Sequence, residues 1–294
     1  MPALDWLGCA TFRLTRGDLV VFLDAYMDRM SSAPATGMDT SKVDRADFVL
    51  VGHSHFDHLW GAEKIARQTG ATVVGSFESI RIMAEQGVPA AQLMPVAGGE
   101  RVRLSHEVTV GVYPSLHSCI WTHARFQQAD EVCLGDLGVL HQDRLARLGT
   151  RGRQREALGD EVLQHLRASQ QGARGDGGAL VYRFEMPEGT LLYQDTCGYW
   201  PGVLPTLQSD VAILAAAGRG NVAGEPVQGS LAQFVAQEVA ALRPRRVILG
   251  HHDDWLPGVS TAVNTAPIRS AIAEACPMAE LAEMGYCAAF DVFA

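Results

Sequence analysis

Short apolar runs of strand length recur along this chain of 294 residues and predict a protein rich in β-structure. In the N-terminal part they alternate with segments of helix-forming composition, and each run ends in a polar or glycine-containing loop. The predicted strands cover residues 12–14, 19–23, 48–52 and 73–74, the helices cover 62–68 and 79–86, and 101–104 forms a hairpin with 108–113.

The same alternation returns after residue 178. Residues 180–184 and 190–194 predict a hairpin, because Pro187-Glu188-Gly189 between them is a strong turn signal. Further strands are predicted at 211–214 and 246–249, with a helix over 230–242 between them. Ser230 suits the N-cap of this helix, and Arg243-Pro244 suits its end. Hairpins mixed with βα units favour an α/β architecture in which two stacked sheets carry helices on their outer faces.

Residues 118–178 have a different character and predict an insertion into this pattern. The segment begins with apolar and aromatic residues, continues through an arginine-rich middle and a helical run at 161–166, and ends in a glycine-rich stretch at 172–178. It is too short and too charged to form a second core. We therefore expect a single domain over 1–294 with a helical insertion or cap at 118–178.

The strongest chemical signal follows the predicted strand 48–52 directly. Three histidines and one aspartate, His53, His55, Asp57 and His58, fall in one short stretch, although the whole chain has only 10 histidines. Imidazole nitrogen and carboxylate oxygen are ligands that zinc and similar divalent metals prefer. Residues two apart in an extended loop point the same way, so His53 and His55 are expected to hold one ion. Asp57 and His58 are expected to face a neighbouring position.

The pattern His53-x-His55-x-Asp57-His58 after an apolar strand resembles the signature of the metallo-β-lactamase fold superfamily. Other positions of that family follow in order, each at the end of an apolar run: Asp24, His117, Asp195 and His251. The blocks Trp-Leu-Gly-Cys-Ala-Thr-Phe at 6–12 and Pro-Ser-Leu-His-Ser at 114–118 are similar to the branch of ascorbate-6-phosphate lactonases and zinc phospholipases D. The resemblance covers nearly all of the chain except 118–178, and it implies a four-layer αββα sandwich.

The resemblance also implies a ligand set for two divalent ions, with zinc expected and manganese or iron as alternatives. The first ion would be held by His53, His55 and His117, the second by Asp57, His58 and His251, and Asp195 would bridge the two. Such a pair activates water for attack on a small-molecule ester, lactone, amide or phosphoester. Asp57 is the expected catalytic residue, since it would orient the nucleophile and accept its proton.

Four further residues are expected near the substrate: Trp121, His123, Tyr199 and His252. His252 competes with His251 for the ligand position, but the family position is the first residue after the strand, which favours His251. One departure from the family is Cys9, where relatives frequently carry a histidine. The contact made by that histidine is in doubt, although no metal ligand is expected to be lost.

The amino-acid composition of the chain limits the classes of molecule that it is expected to bind. Lys and Arg number 24 against 33 Asp and Glu, a formal charge of −9 that disfavours nucleic acid. No apolar run approaches the roughly 20 residues of a membrane span. The N-terminus shows no basic segment or apolar signal region, and the six cysteines include no CxxC pair, so a reducing cytoplasm is expected. A small-molecule substrate is expected, and a homo-oligomer is compatible with the sequence.

Three other functions stay open at this stage. The same scaffold serves iron-dependent oxidoreductases, but no flavodoxin-like segment follows here. A nuclease or phosphodiesterase is disfavoured, because the chain lacks the large insertion and basic patches of that branch. A metal-binding protein without activity would be marked most simply by loss of a ligand, and the sequence shows no such loss.

Overall fold

A computed structural model describes residues 1–122, 128–132, 134–155, 158–172 and 175–294, with the backbone alone over 151–155. The strands are β1 Ala3–Gly8, β2 Thr11–Arg16, β3 Leu19–Leu23, β4 Phe48–Leu50, β5 Thr72–Gly75, β6 Leu93–Pro95, β7 Arg101–Arg103, β8 Thr109–Pro114, β9 Leu180–Met186, β10 Gly189–Gln194, β11 Gly198–Tyr199, β12 Val211–Ala215, β13 Asn221–Val222, β14 Glu225–Pro226, β15 Arg246–Gly250, β16 Glu280–Ala282 and β17 Phe290–Asp291. The α-helices are α1 Phe56–Leu59, α2 Ala62–Thr69, α3 Phe77–Glu85, α4 His141–Arg155, α5 Asp160–Ser169, α6 Leu231–Leu242 and α7 Ala266–Ala275.

Two seven-stranded sheets face each other across the main core. Their orders are β17-β1-β2-β3-β4-β5-β6 and β16-β15-β12-β10-β9-β8-β7. Each sheet has an antiparallel part built from hairpins and a parallel part where helices connect the strands. Apolar side chains of both sheets, among them Phe12, Leu50, Phe184 and Ile213, meet in this core.

Helices cover the outer face of each sheet. On the first sheet, Ile65 of α2 and Ile82 of α3 pack against Val49 and its neighbours. On the second sheet, α6 and α7 form a separate apolar layer against β10, β12 and β15. The expected αββα sandwich is therefore confirmed. Within the described residues, no helix is long and apolar enough to cross a membrane.

Local sequence signals placed most elements within a few residues of their observed ends. The helix predicted after Ser230 is α6, and Ser230 and Gln233 form a reciprocal capping box at its start. The hairpins β7–β8 and β9–β10 are likewise confirmed. The C-terminal elements α7, β16 and β17 were not predicted, because their short apolar segments depend on neighbours distant in sequence.

The backbone conformation of the motif changes after His55. Asp57 and His58 do not continue an extended loop but lie in the one-turn helix α1, where the backbone N–H groups of His58 and Leu59 donate to His55 O. Because a helical turn rotates successive side chains by about 100°, Asp57 and His58 point in different directions without lying on opposite sides, as neighbours in an extended chain do.

The described part of 118–178 contributes α4 and α5. The helix α5 buries Val162 and Leu166 in an apolar cluster with Tyr26, Trp255 and Leu256. At the exit of the segment, Gly175 O and Asp176 O accept hydrogen bonds from Ser54 Oγ (3.0 Å) and Ser54 N (2.8 Å). The segment is thus attached directly to the loop that carries the motif histidines.

Candidate metal centre

The site lies where strands of the two facing sheets end. His53 and its motif follow β4 of one sheet, whereas His117, Asp195 and His251 follow β8, β10 and β15 of the other. These side chains come from distant parts of the chain and are brought together only by the stacking of the sheets. A cleft edge built from strand ends is a common place for functional side chains in α/β folds.

Three imidazoles form the first group, which we call the three-histidine cluster: His53, His55 and His117. Their ligand nitrogens all lie within 4.8 Å of one another, and His53 Nε2 is 3.1 Å from His55 Nδ1. Burial, followed by the neighbouring imidazoles, lowers the pKa of His55 and lowers that of His117 to about 4. Neutral imidazoles with converging lone pairs are what a divalent ion requires.

Cys9, Asp57 and His251 form the second group, which we call the mixed cluster; their ligand atoms also lie within 4.8 Å of one another. Asp57 Oδ2 is 3.3 Å from His251 Nε2 and 3.6 Å from His58 Nε2. Burial raises the pKa of Asp57, but His58 and His251 outweigh it and lower the pKa well below its usual value. The carboxylate is therefore ionised and available as a ligand.

His58 lies between the two clusters. Its ring centroid is 3.9 Å from that of His53 and 5.1 Å from that of His251. On its other side, Nδ1 is 2.6 Å from Asp24 Oδ2, and the same oxygen accepts a 2.6 Å hydrogen bond from Tyr193 OH. Asp24 therefore fixes the orientation of the His58 ring and leaves Nε2 facing Asp57.

Asp195 plays a similar part towards His53. Asp195 Oδ2 is 2.6 Å from His53 Nδ1 and 3.2 Å from His58 Nδ1. Gly52 permits this approach, because a Cβ there would come within 2.0 Å of the Asp195 carboxylate. The other oxygen, Asp195 Oδ1, is buried and has no hydrogen-bond partner among the described residues. A buried carboxylate oxygen without a donor fits a cation nearby, although a bridging role for Asp195 remains a prediction.

Three of the four expected substrate residues pack against other side chains of the protein. His252 stacks on Trp6, with ring centroids 4.5 Å apart, and Tyr199 packs on Phe234 of α6, 5.9 Å away. Trp121 lies under the guanidinium of Arg144, which is 4.1 Å from the ring centroid. His123 lies outside the described residues. Substrate contact by any of these four remains a prediction.

Two features near the site were not predicted as functional. One is Cys9 in the mixed cluster, for which the only sequence signal was its departure from the family histidine. The other is a group of aromatic side chains beside His251, in which Trp255 lies 5.4 Å from His251 and 5.6 Å from Tyr26 between ring centroids. Tyr26 OH is in turn 2.8 Å from His165 Nε2 of α5.

Acidification should release an ion from the mixed cluster before one from the three-histidine cluster. Burial lowers the pKa of His251 and His58, but Cys9 and Asp57 for His251, and three carboxylates for His58, outweigh it and raise both values. Protons therefore compete with a metal there already near neutral pH, whereas His117 competes only near pH 4. Metal content after dialysis at stepwise lower pH should fall first by about one ion per chain, and the remaining ion should be lost only near pH 4. Simultaneous loss of both ions would contradict this order.

The arrangement of layers, with histidine and aspartate side chains gathered at the strand ends, is the metallo-β-lactamase fold. Residues 20–137 match the family model described as a beta-lactamase superfamily domain. This match includes the motif and His117 but not Cys9, Asp195 or His251. A "UPF0173 metal-dependent hydrolase" of Pyrobaculum arsenaticum is 36% identical over 115 residues, which are 39% of this chain and 50% of that protein. The chain thus spans about half the length of the curated relatives it matches.

Solved structures resemble the fold of this chain over almost its whole length, although their sequence identity to it is low. Igni18, a metallo hydrolase from the archaeon Ignicoccus hospitalis, superimposes with a TM-score of 0.62 and 14% identity, covering 97% of this chain and 96% of the other. CmlA, a diiron β-hydroxylase from Streptomyces venezuelae, gives a TM-score of 0.55 at 13% identity, over 97% of this chain and 53% of that one. At such identities the likeness shows the fold alone.

Proposed function

We propose that the protein is a metal-dependent hydrolase with a dinuclear centre, expected to hold zinc, that cleaves a small-molecule ester, lactone, amide or phosphoester. The observation that carries this proposal is the pair of adjacent ligand clusters on either side of His58. The matched superfamily domain and the hydrolase relative support it. The similarity of 6–12 and 114–118 to the lactonase and phospholipase branch favours a small-molecule substrate.

Divalent ions held in these clusters would polarise a substrate oxygen and lower the pKa of water to near 7. The remaining steps belong to the protein. Asp57 Oδ2, ionised at neutral pH, is placed to accept the proton of the attacking water, as a general base does. Asp195 and Asp24 hold the rings of His53 and His58 through their Nδ1 atoms. Trp255, next to His251, limits the access of bulk water on that side.

The experiment that tests the proposal combines metal analysis with a substrate panel. We expect about two zinc ions per chain by elemental analysis, the number of a bridged pair, and turnover of at least one class among lactones, carboxylic esters, amides and phosphodiesters. A chelator should abolish this turnover, and added zinc should restore it.

Variants give the controls. His55→Ala removes a ligand and should lower both metal content and turnover, whereas His106→Ala, at an exposed turn position, should change neither. A purified protein that binds no transition metal, or whose turnover survives chelation, would refute the proposal. Iron as the native metal, with oxygen-dependent turnover, would favour the oxidoreductase alternative instead.

A further inference from the structure

Cys9 belongs both to the mixed cluster and to the apolar cluster that packs against α5. Its side chain is fully buried, and Sγ lies 3.6 Å from the backbone oxygen of Asp57. Sγ is also within 4.8 Å of the ligand atoms of Asp57 and His251. Three different ligand types, a thiol, a carboxylate and an imidazole, thus converge on one small volume.

The backbone of Cys9 is bound to the loop that presents His251. The N–H of His251 donates to Cys9 O at 2.7 Å, and Trp6 Nε1 donates to the same oxygen at 2.9 Å. Both Cys9 and His251 have positive φ angles, 50° and 63°, which are uncommon for residues other than glycine. The hydrogen bond between the two backbones therefore fixes the position of the Cys9 side chain relative to that of His251.

The buried ion pair of Arg29 and Asp253 stabilises the backbone at Cys9. The N–H of Cys9 donates to Asp253 Oδ1 at 3.0 Å, while Asp253 Oδ2 accepts from Arg29 (2.6 Å) and from Tyr286 OH (2.8 Å). Gly8 makes room for Arg29, since a Cβ at Gly8 would lie 2.0 Å from the guanidinium. The network orients the loop of Cys9 in the way that outer carboxylates orient metal ligands.

Packing alone is the simpler explanation for a buried cysteine, and Cys9 does contact the apolar cluster of Tyr26 and Trp255. That explanation accounts for burial but not for the approach of Sγ to two metal-type ligand atoms. Unpartnered polar atoms also surround the centre in the described part of the chain, namely Nδ1 of His251 and Oδ1 of Asp195. A cation shared by the Cys9 thiolate, the Asp57 carboxylate and the His251 imidazole would account for the approach of these three groups.

We propose that Cys9 is a metal ligand, whose thiolate binds the ion of the mixed cluster together with Asp57 and His251. This rests on the proposed metal-dependent function. On binding, the S–H bond of Cys9 breaks, a sulfur–metal bond forms, and the proton leaves to solvent. A thiolate favours zinc over manganese, because soft ligands select softer metals. One ion is then held by the three-histidine cluster and the other by a set of ligands that includes sulfur.

X-ray absorption at the zinc edge tests this directly on the zinc-loaded protein. We expect a sulfur scatterer at about 2.3 Å in addition to nitrogen and oxygen at about 2.0–2.1 Å. In Cys9→Ser the sulfur scatterer should disappear while the nitrogen and oxygen shell remains. The affinity for the second zinc ion should fall by more than about 10- to 100-fold, the loss typical of removing only an outer partner.

Cobalt provides a second readout and separates the possible failures. The cobalt-loaded wild-type protein should show a thiolate charge-transfer band in the near ultraviolet, absent in Cys9→Ser and retained in Cys276→Ser. Cys276 is a matched control because it lies at the end of α7, outside the site. Metal binding without sulfur in the wild-type protein, or sulfur that persists in Cys9→Ser, overturns the assignment of Cys9 alone. Failure to bind any metal overturns the proposed function as well.

Discussion

Replacing Asp57 by Asn should lower the turnover number by about 10²- to 10⁴-fold, the range for loss of general acid–base assistance. The amide keeps the shape of the side chain but removes the negative charge that faces His58 and His251 at 3.6 and 3.3 Å. It also removes the group placed to take a proton from water. Turnover on the substrate found in the panel, measured together with metal content, checks this expectation.

Metal content distinguishes the two roles of Asp57. If the variant keeps both ions but loses turnover, the carboxylate acts mainly as proton acceptor; if one ion is lost, it acts mainly as ligand. Asp18→Asn is the matched control, because it makes the same chemical change at a fully exposed carboxylate. Equal loss of turnover in the two variants would show that Asp57 has no special role.

Displacing α5 from the apolar cluster that it shares with Tyr26 and Trp255 should change turnover by about 10- to 100-fold, the scale on which displaced positioning groups act, while metal content stays the same. Leu166 is 6% exposed and packs in the cluster of Tyr26 and Trp255. In Leu166→Asp a charge would enter this apolar cluster, which is costly unless the helix moves away. The proposed ligand residues are outside α5 and should still hold metal.

Leu145→Asp on α4 is the control, since Leu145 is already 55% exposed and tolerates a charge. A second variant replaces residues 122–174 by a short Gly-Ser link and keeps Gly175 and Asp176, whose carbonyl oxygens accept hydrogen bonds from Ser54. A cap over the site predicts retained metal with altered turnover or specificity in both variants. Unchanged kinetics in both would separate 118–178 from the reaction.

The linear pattern was sufficient for elements whose stability is local. The turn Pro187-Glu188-Gly189 and the capping residue Ser230 act within a few positions of the chain, so β9–β10 and α6 were predictable. The motif His53-x-His55-x-Asp57-His58 was readable for the same reason, since its spacing alone suggests a metal. The short helix α1 escaped prediction, because four residues carry too little periodicity.

The ligands outside the motif depended on the family resemblance rather than on any local signal. A single histidine or aspartate after an apolar run, such as His117 or Asp195, has many structural explanations. Only the facing of two sheets brings Asp195 to 2.6 Å from His53 across a large separation in sequence. The residues' order along the chain suggested this set, and the structure places them together.

The sequence by itself determined the αββα class, most strand and helix positions and the motif, because these follow from periodicity, turn chemistry and local spacing. Only the tertiary structure shows that Cys9 is the cysteine next to Asp57 and His251, and which residues fix its position. Cys9 is 244 positions from Asp253 in sequence, and its hydrogen bond to that residue joins the loop after β1 to the loop after β15. No local pattern encodes such a contact, since it exists only after the sheets have packed and buried the ion pair of Arg29 and Asp253.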